Sequence, residues 1–217
     1  MRLTKEQTEA NRQRILAEAG QLFRERGFDG ISVAELMQAA GFTHGGFYNH
    51  FASKNELMAD VMRNVLAVAT AKLLRRTDPK KGPKAETFAA YVDLYLSPAA
   101  RDNPGNACPI STLSQEVMRQ DDEIKSAFTQ GLEAYLEAFA KALPDEPLPD
   151  EPLPDEPLPD ANGSSRRARA IATFAALIGG LAMARAVATE NAAFSQEILD
   201  SVGAAVKTSS RADDKDD

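Results

Sequence analysis

The chain has 217 residues, of which 43% are hydrophobic, and this length suffices for a small and a medium domain with a sizeable core. Its formal net charge is −7, yet residues 1–76 carry 11 Lys/Arg against 8 Asp/Glu. The first third is therefore net positive and suited to a polyanion, while the acidity lies further along the chain. The single cysteine excludes an intramolecular disulfide framework and fits a reducing cytoplasm.

The sequence predicts a cytoplasmic protein without a membrane partner. Its first residues, MRLTKEQTEANRQR, are polar and lack the apolar core of a secretory signal. A membrane-spanning helix needs about 18 or more consecutive apolar residues, and the sequence has no such run.

The first predicted helix begins after Thr4, which forms a capping box with Gln7. Gly27 follows a basic last turn and ends this helix. Between them, apolar residues recur at i, i+4, i+7 and i+8 and predict one buried stripe: Ile15, Ala19, Leu22 and Phe23.

Two further capping boxes follow within a short distance, Ser32 with Glu35 and Ser53 with Glu56. Between them, Thr43 is placed to cap a third and shorter helix. An apolar residue precedes each cap, and another lies just inside each helix, as in a hydrophobic staple. The stretch therefore predicts three short helices joined by tight turns.

These helices are expected at about 33–40, at 44–50 and from 54 onward, with Gly41 in the first turn. A glycine there can adopt a left-handed conformation without a Cβ penalty. Two short helices joined by a glycine-containing turn are typical of a helix-turn-helix, whose second helix enters the major groove of DNA.

The run from Gly27 to Leu57, above all GFTHGGFYNHFASKNEL, resembles the DNA-binding domain of the TetR family of bacterial repressors. The resemblance implies an all-α protein, with a three-helix DNA-binding domain in residues 1–53 and a helical effector-binding and dimerisation domain in residues 54–208. It also implies a homodimeric, sequence-specific regulator that binds a near-palindromic DNA operator and is released by a small-molecule effector.

On the second helix of the motif, His44 is the main side chain able to reach a base edge. Gly45 and Gly46 lack side chains and allow Thr43 and the backbone to approach closely, although each glycine lowers helix propensity by roughly 1 kcal/mol. The alternative for His44 is a solvated surface imidazole.

The phosphate contacts are inferred from the family pattern. Tyr48, His50 and Lys54 match its backbone-contacting positions, and Ser32 is a further candidate on the first helix of the motif. Phe47 and Phe51 are expected in the core, because their spacing places them on one side of a helix.

The rest of the chain reads as further helices separated by proline- and glycine-containing turns. These are expected from Lys54 to about Arg76, over 85–97, from Pro109, from Asp121–Glu123, over 164–187 and over about 192–207. Residues 143–160 repeat the pentapeptide LPDEP and contain seven of the twelve prolines, which predicts an extended, exposed loop. Residues 209–217 are expected to be a disordered tail.

An effector pocket is expected among the helices of residues 85–187. Aromatic residues at helical spacing are its candidate lining, with simple packing as the alternative: Phe88, Tyr91, Tyr95, Phe128, Tyr135 and Phe174.

Cys108 is a candidate redox site, since it precedes Pro109 at the start of a predicted helix, where the helix dipole favours a thiolate. The stretch from Ala107 to Val117 resembles the electrophile-sensing, N-ethylmaleimide reductase repressor type within the TetR family. The alternative is a buried and inert small side chain.

The two C-terminal helices are rich in small and apolar residues and predict a four-helix dimer interface, with an intramolecular core as the alternative. The candidate interface residues are Phe174, Ile178, Gly179, Leu181, Ala182, Ile198 and Val202.

Two other classes of function can be weighed against the sequence. An enzyme would need Cys108 to meet His44 or His50, which lie in the helix-turn-helix, and the sequence has no glycine-rich phosphate loop and no metal-ligand cluster. No enzymatic activity, cofactor or metal is therefore expected. An adaptor that binds other proteins through the LPDEP repeat is the remaining alternative.

Overall fold

The computed structural model describes residues 4–144 and 161–208, with the side chains of 161–165 left out. Every regular element in these residues is helical, which confirms the predicted all-α class. The α-helices are α1 (Lys5–Arg26), α2 (Val33–Ala39), α3 (Lys54–Arg76), α4 (Lys84–Tyr95), α5 (Pro98–Asp102), α6 (Pro109–Val117), α7 (Asp122–Ala142), α8 (Ala161–Val187) and α9 (Ala192–Thr208). Three 3₁₀ helices lie at His44–Asn49, Pro79–Lys81 and Pro104–Asn106.

Two of the three predicted capping boxes form in full, whereas at Ser53 the Glu56 carboxylate accepts from the Ala52 amide and not from the Ser53 amide. Thr4 accepts from the Gln7 amide and Ser32 from the Glu35 amide, and in both pairs the second side chain bonds back to the cap amide. Gly27 and Gly41 have φ of 73° and 78°, the left-handed region that a glycine adopts without strain. Each side-chain cap contributes about 1 kcal/mol to its helix, so local sequence fixes where α1 and α2 begin.

The segment His44–Asn49, here called the recognition segment, differs from the α-helix predicted over 44–50. It is a 3₁₀ helix, and Thr43 occupies its N-cap position without a side-chain hydrogen bond. Two adjacent glycines lower α-helix propensity, and a run this short has few α-type hydrogen bonds to lose.

The chain divides into two compact units, whose boundaries fall within α3, at the end of α5 and within α7. The first comprises the described residues of Met1–Thr70 and Asn103–Tyr135, and the second those of Ala71–Asp102 and Leu136–Asp217. This division by packing differs from the predicted functional division after residue 53, which stays a prediction.

The first unit has an aromatic core beneath the helix-turn-helix. Phe23 and Phe28 meet edge to face at 5.1 Å between ring centroids, and Phe47 and Phe51 lie 5.6 Å apart. All four rings are buried, as expected for Phe47 and Phe51. The helix α6 and the 3₁₀ helix Pro104–Asn106 pack on α1.

The second unit is built around the antiparallel pair α8 and α9. A Cβ at Gly180 would lie 2.9 Å from Val202 Cγ2, so the two helices approach closely at this glycine. The buried Ser195 hydroxyl donates to the Ala184 carbonyl at 2.8 Å and accepts from Arg101 Nη1 at 3.1 Å. These polar contacts lock the register of α9 on α8.

Within the described residues, Arg166–Val187 is long and apolar enough to cross a membrane by length and composition alone. The core helix of a soluble protein passes the same test, and α9 packs along this helix. Residues 145–160 of the LPDEP repeat and the predicted tail at 209–217 lie outside the described residues.

Candidate DNA-binding site

His44 and Tyr48 lie side by side on the exposed surface of the recognition segment. Their ring centroids are 6.4 Å apart at an interplanar angle of 83°, and Tyr48 is 68% exposed. The buried Phe47 ring supports Tyr48 from beneath at 5.3 Å. A phenol hydroxyl and an imidazole held together in this way offer donors to phosphate and to base edges.

The two glycines beside this pair have different surroundings. A Cβ at Gly45 would have no heavy atom within 4 Å, whereas one at Gly46 would make ordinary contacts with Thr43 Oγ1 at 3.7 Å and Met37 Cε at 3.8 Å. Packing within the chain therefore does not require a glycine at either position. A surface left bare at Gly45 is suited to close approach by another molecule.

Ser32 is exposed but its hydroxyl is already engaged. It donates to Glu35 Oε2 at 2.6 Å and accepts from the Glu35 amide at 3.3 Å. The Ser32 hydroxyl and the Ser32 amide both donate to the Glu35 carboxylate, and these two hydrogen bonds, together with the nearby Arg26 charge, lower the pKa of the Glu35 carboxyl. A phosphate contact from Ser32 requires the hydroxyl to turn away from this carboxylate.

His50 lies at the end of the recognition segment, with its ring between Phe42 and Phe51. Burial, and secondarily the positive charge of Arg12, lowers the pKa of this histidine. Its buried Nδ1 has no hydrogen-bond partner among the described residues. The imidazole is therefore neutral at neutral pH, and its buried Nδ1 cannot donate to a phosphate.

Lys54 has a role that the sequence did not indicate. Its ammonium donates to the carbonyls of Phe28 at 2.7 Å and Ile31 at 2.8 Å, which belong to the loop before α2. Two of its three donors are thus used within the chain. Lys54 fastens this loop to the start of α3, and only one N–H remains for the phosphate contact that the family pattern implies.

Sequence reasoning missed Arg12 of α1. Its guanidinium donates to the His50 carbonyl and to the Asp60 carboxylate, and it lies 4.3 Å from the centroid of the Phe51 ring. These partners are 38 and more residues away in sequence, so no local pattern marks the position. Arg12 is the side chain that ties the end of the recognition segment to α1 and α3.

The structure separates the aromatic residues proposed to line an effector pocket. Phe88, Tyr91, Tyr95 and Phe174 are buried in the second unit around Phe139, with centroid distances of 5.2 to 6.4 Å among neighbours. The remaining candidates, Phe128, Tyr135 and Cys108, belong to the first unit.

The proposed dimer residues fall into two groups. Phe174 and Leu181 are 2% and 1% exposed, because they belong to the stripe of α8 that faces the core of the single chain. Their place at a dimer interface stays a prediction. The other five retain exposure: Ile178, Gly179, Ala182, Ile198 and Val202. Large apolar residues that the prediction omitted are more exposed, namely Ile171, Met183 and Phe194.

Comparison with known proteins agrees with this geometry. The sequence model of the bacterial regulatory proteins of the tetR family matches residues 15–61. The repressor NemR of Escherichia coli K12 is 26% identical over 132 residues, a match that spans 61% of this chain and 66% of that protein.

Two solved structures extend the likeness to most of the fold. The reduced form of Escherichia coli NemR superposes with a TM-score of 0.70 at 22% identity, covering 92% of this chain and 96% of that one. FadR of Bacillus subtilis, solved in complex with stearoyl-CoA, superposes with a TM-score of 0.61 at 15% identity, covering 90% and 97%.

Proposed function

Because the chain belongs to the TetR family of bacterial transcriptional regulators, we propose that it is a homodimeric repressor that reads a near-palindromic DNA site in the cytoplasm. The observation that carries the proposal is the exposed pair His44 and Tyr48 beside the bare backbone of Gly45. In a dimer, two recognition segments enter successive major grooves about 34–36 Å apart. His44 reads base edges there, while Tyr48 and the neighbouring donors hold phosphates.

The dimer is formed by the outer faces of α8 and α9. Between Ala170 and Ala184, α8 carries no charged residue, although much of that stretch is exposed. With Ile171, Met183 and Phe194 this makes an apolar surface, and such surfaces on soluble proteins mark interaction sites. Pairing two copies as a four-helix interface covers it.

Selection of binding sites from a random duplex library tests this proposal. The expected product is a near-palindrome with half-sites one helical turn apart. His44→Ala should retain affinity for non-specific duplex but lose the preference at one position of each half-site. The proposal is refuted when the wild-type protein selects no sequence, or when the His44 variant selects the same one with the same preference.

A small molecule that binds the second unit is the expected effector. FadR of Bacillus subtilis holds stearoyl-CoA in a related fold, and the cluster around Phe139 is the largest aromatic group of this unit. An effector acts by favouring the dimer geometry in which the two recognition segments no longer match successive grooves. Release of bound duplex on titration with candidate apolar ligands measures this.

Electrophile sensing at Cys108 is the second candidate function. Cys108 is half-buried at the N-cap of α6 and lies near the part-buried guanidinium of Arg24. A neighbouring cation favours the thiolate, which is the reactive form. Since Arg24 also donates to the Gly105 carbonyl at 2.7 Å, alkylation of Cys108 disturbs the packing of this loop on α1.

Cys108→Ser should bind DNA as the wild type does but lose any release by maleimide or hypochlorite. A serine variant that still responds to both reagents excludes Cys108 as the sensor and leaves the repressor proposal intact.

A further inference from the structure

The Arg12 guanidinium is the meeting point of three elements of the first unit. It lies on α1, donates to the carbonyl of His50, the residue directly after the recognition segment, and forms an ion pair with Asp60 of α3. It also lies over the Phe51 ring at 4.3 Å from the centroid, and Glu56 is 3.9 Å away. A planar guanidinium with several donors can satisfy a carbonyl and a carboxylate at once, whereas an ammonium is a single point charge.

The ion pair at Arg12 continues outward along α3. Asp60 accepts from Arg63 at 2.7 Å, and Arg63 lies 3.3 Å from Glu123 in the first turn of α7. The inner pair is the better protected one, because the side chains of Arg12 and Asp60 are 26% and 18% exposed, against 48% and 54% for Arg63 and Glu123. Exposed ion pairs contribute little to stability, so the inner pair of Arg12 and Asp60 provides most of the stabilisation in this network.

We propose that Arg12 and Asp60 are positioning residues for DNA recognition, which hold the end of the recognition segment at the height on α3 where His44 and Tyr48 can enter the groove. This inference rests on the proposed DNA-binding function. The recognition segment is a short 3₁₀ helix without a side-chain cap at Thr43, so it has little stability of its own. Its far end is fixed by the hydrogen bond from Arg12 to the His50 carbonyl.

The positioning role predicts that the Asp60 carboxylate strengthens DNA binding, whereas its negative charge alone would weaken DNA binding. A carboxylate near DNA repels phosphate, so removing its charge should by electrostatics alone tighten binding. If Asp60 holds Arg12 in place, removing the charge frees the guanidinium from the His50 carbonyl and weakens binding. The sign of the change therefore separates positioning from long-range repulsion.

The test uses the full-length chain and the duplex that the wild-type protein selects, with affinity measured by fluorescence anisotropy at several salt concentrations. Asp60→Asn and Arg12→Gln should each weaken binding to this duplex about tenfold. The double variant should lose no more than either single variant, because both changes break one interaction. Asp60→Asn should leave the salt dependence unchanged, since no phosphate contact is lost.

Two control variants complete the experiment. Asp29→Asn removes an exposed carboxylate from the same unit and should bind slightly more tightly than wild type. Arg63→Gln removes the outer contacts to Asp60 and Glu123 but leaves the Arg12–Asp60 pair in place, and it should change affinity less than threefold. Circular dichroism and the melting temperature confirm that each variant is folded at the temperature of the titration.

The positioning role is overturned if folded Asp60→Asn binds the duplex as tightly as wild type or more tightly. It is also overturned if the affinity losses of Arg12→Gln and Asp60→Asn add in the double variant. A salt slope for Arg12→Gln that is smaller by about one overturns it too, because such a slope marks Arg12 as a phosphate contact. Each of these outcomes leaves the repressor proposal standing. If the wild-type chain binds no duplex at all, that separate result refutes the proposed DNA-binding function itself.

Discussion

At Gly45 the structure presents a glycine that the chain itself does not need. A Cβ there meets no heavy atom within 4 Å. Gly45→Ala should therefore leave the free energy of unfolding unchanged or raise it by about 0.5–1 kcal/mol, because alanine restricts the unfolded chain. Its affinity for the selected duplex should fall about tenfold, because the methyl group separates the backbone from the DNA. Urea unfolding and anisotropy titration on one preparation measure both quantities, and unaltered affinity would contradict the close approach.

Lys54 provides a second prediction, which concerns stability. Lys54→Met keeps the length of the side chain but removes the donors to the carbonyls of Phe28 and Ile31. We expect a loss of about 1–3 kcal/mol in the free energy of unfolding, as for other part-buried carbonyls left without a charged donor. The salt dependence of DNA binding tells whether the remaining N–H also contacts phosphate. A slope smaller by about one assigns both roles to Lys54, and an unchanged slope assigns only the structural one.

The lowered pKa of His50 predicts a pH dependence of stability. In the unfolded chain the imidazole has its ordinary pKa of about 6.5, whereas burial and the Arg12 charge make the folded state bind the proton less readily. The contribution of the neutral ring is therefore complete above about pH 6.5 and is lost as the pH falls through the folded pKa. His50→Asn should remove this component, so the difference in unfolding free energy between wild type and variant should shrink below pH 6.5. A pH-independent difference would contradict the assignment.

These residues show where sequence reasoning succeeds and where it stops. The caps at Thr4 and Ser32 were predictable because both partners lie within three residues of each other. The exposed His44 and the buried Phe47 were equally predictable from spacing and the family pattern. The contacts of Arg12 and Lys54 were not predictable, since their partners lie at least 23 residues away and three of these are backbone carbonyls, which carry no sequence signature.

Among the elements, the long predicted helices match the structure closely, whereas the shortest predicted helix, over 44–50, does not. The predicted helix from Lys54 to about Arg76 is α3, and the one predicted over about 192–207 is α9. The recognition segment departed from its prediction because six residues with two glycines have too little α-helix propensity to overcome a competing 3₁₀ geometry. The sequence does not identify the buried face of α8, because small and apolar residues occur on all sides of this helix. Only the structure shows which face is buried.

The adjacent glycines of α8 allow a matched test of helix packing. A Cβ at Gly180 would lie 2.9 Å from Val202, whereas one at Gly179 would meet no heavy atom within 4 Å. Gly180→Ala should therefore destabilise the protein by about 1–3 kcal/mol through overpacking. Gly179→Ala should stabilise the single chain by about 0.5–1 kcal/mol through helix propensity. Adding Val202→Ala to the Gly180→Ala variant should restore part of the lost stability. Thermal unfolding at one protein concentration measures the stability of all three variants.

Gly179 also reports on the proposed dimer. If two copies pair across the exposed face of α8, a methyl group at Gly179 should weaken dimerisation while it strengthens the helix. Analytical ultracentrifugation of Gly179→Ala should then show a larger dimer dissociation constant than the wild type. An unchanged constant would place the interface elsewhere on α8 and α9.

Across the whole molecule, the net charge of −7 hides a positive N-terminal third. Seven acidic residues belong to the LPDEP repeat, and their number reflects the count of repeat copies. The chain on both sides of the repeat is anchored independently of it. Arg166 donates to the carbonyls of Ala140 at 2.7 Å and Leu143 at 2.6 Å, and Arg169 donates to the Pro144 carbonyl.

Removal of two repeat units, residues 148–157, should therefore change the free energy of unfolding by less than about 0.5 kcal/mol. The hydrogen bonds of Arg166 and Arg169 already hold the chain before the repeat to the chain after it, and the entropy cost of such a closure varies only logarithmically with the length of the intervening chain. Affinity for the selected duplex should also be unchanged, because the proposed DNA-contacting residues all lie within residues 32–54 of the first unit. Arg166→Ala is the matched control and should cost about 1–3 kcal/mol, since it leaves two carbonyls at the end of α7 without their charged donor. A shortened chain that loses DNA binding or stability would show that the repeat itself contributes to the fold or to recognition. In that case the adaptor alternative, which assigns the repeat a partner of its own, would need to be tested directly.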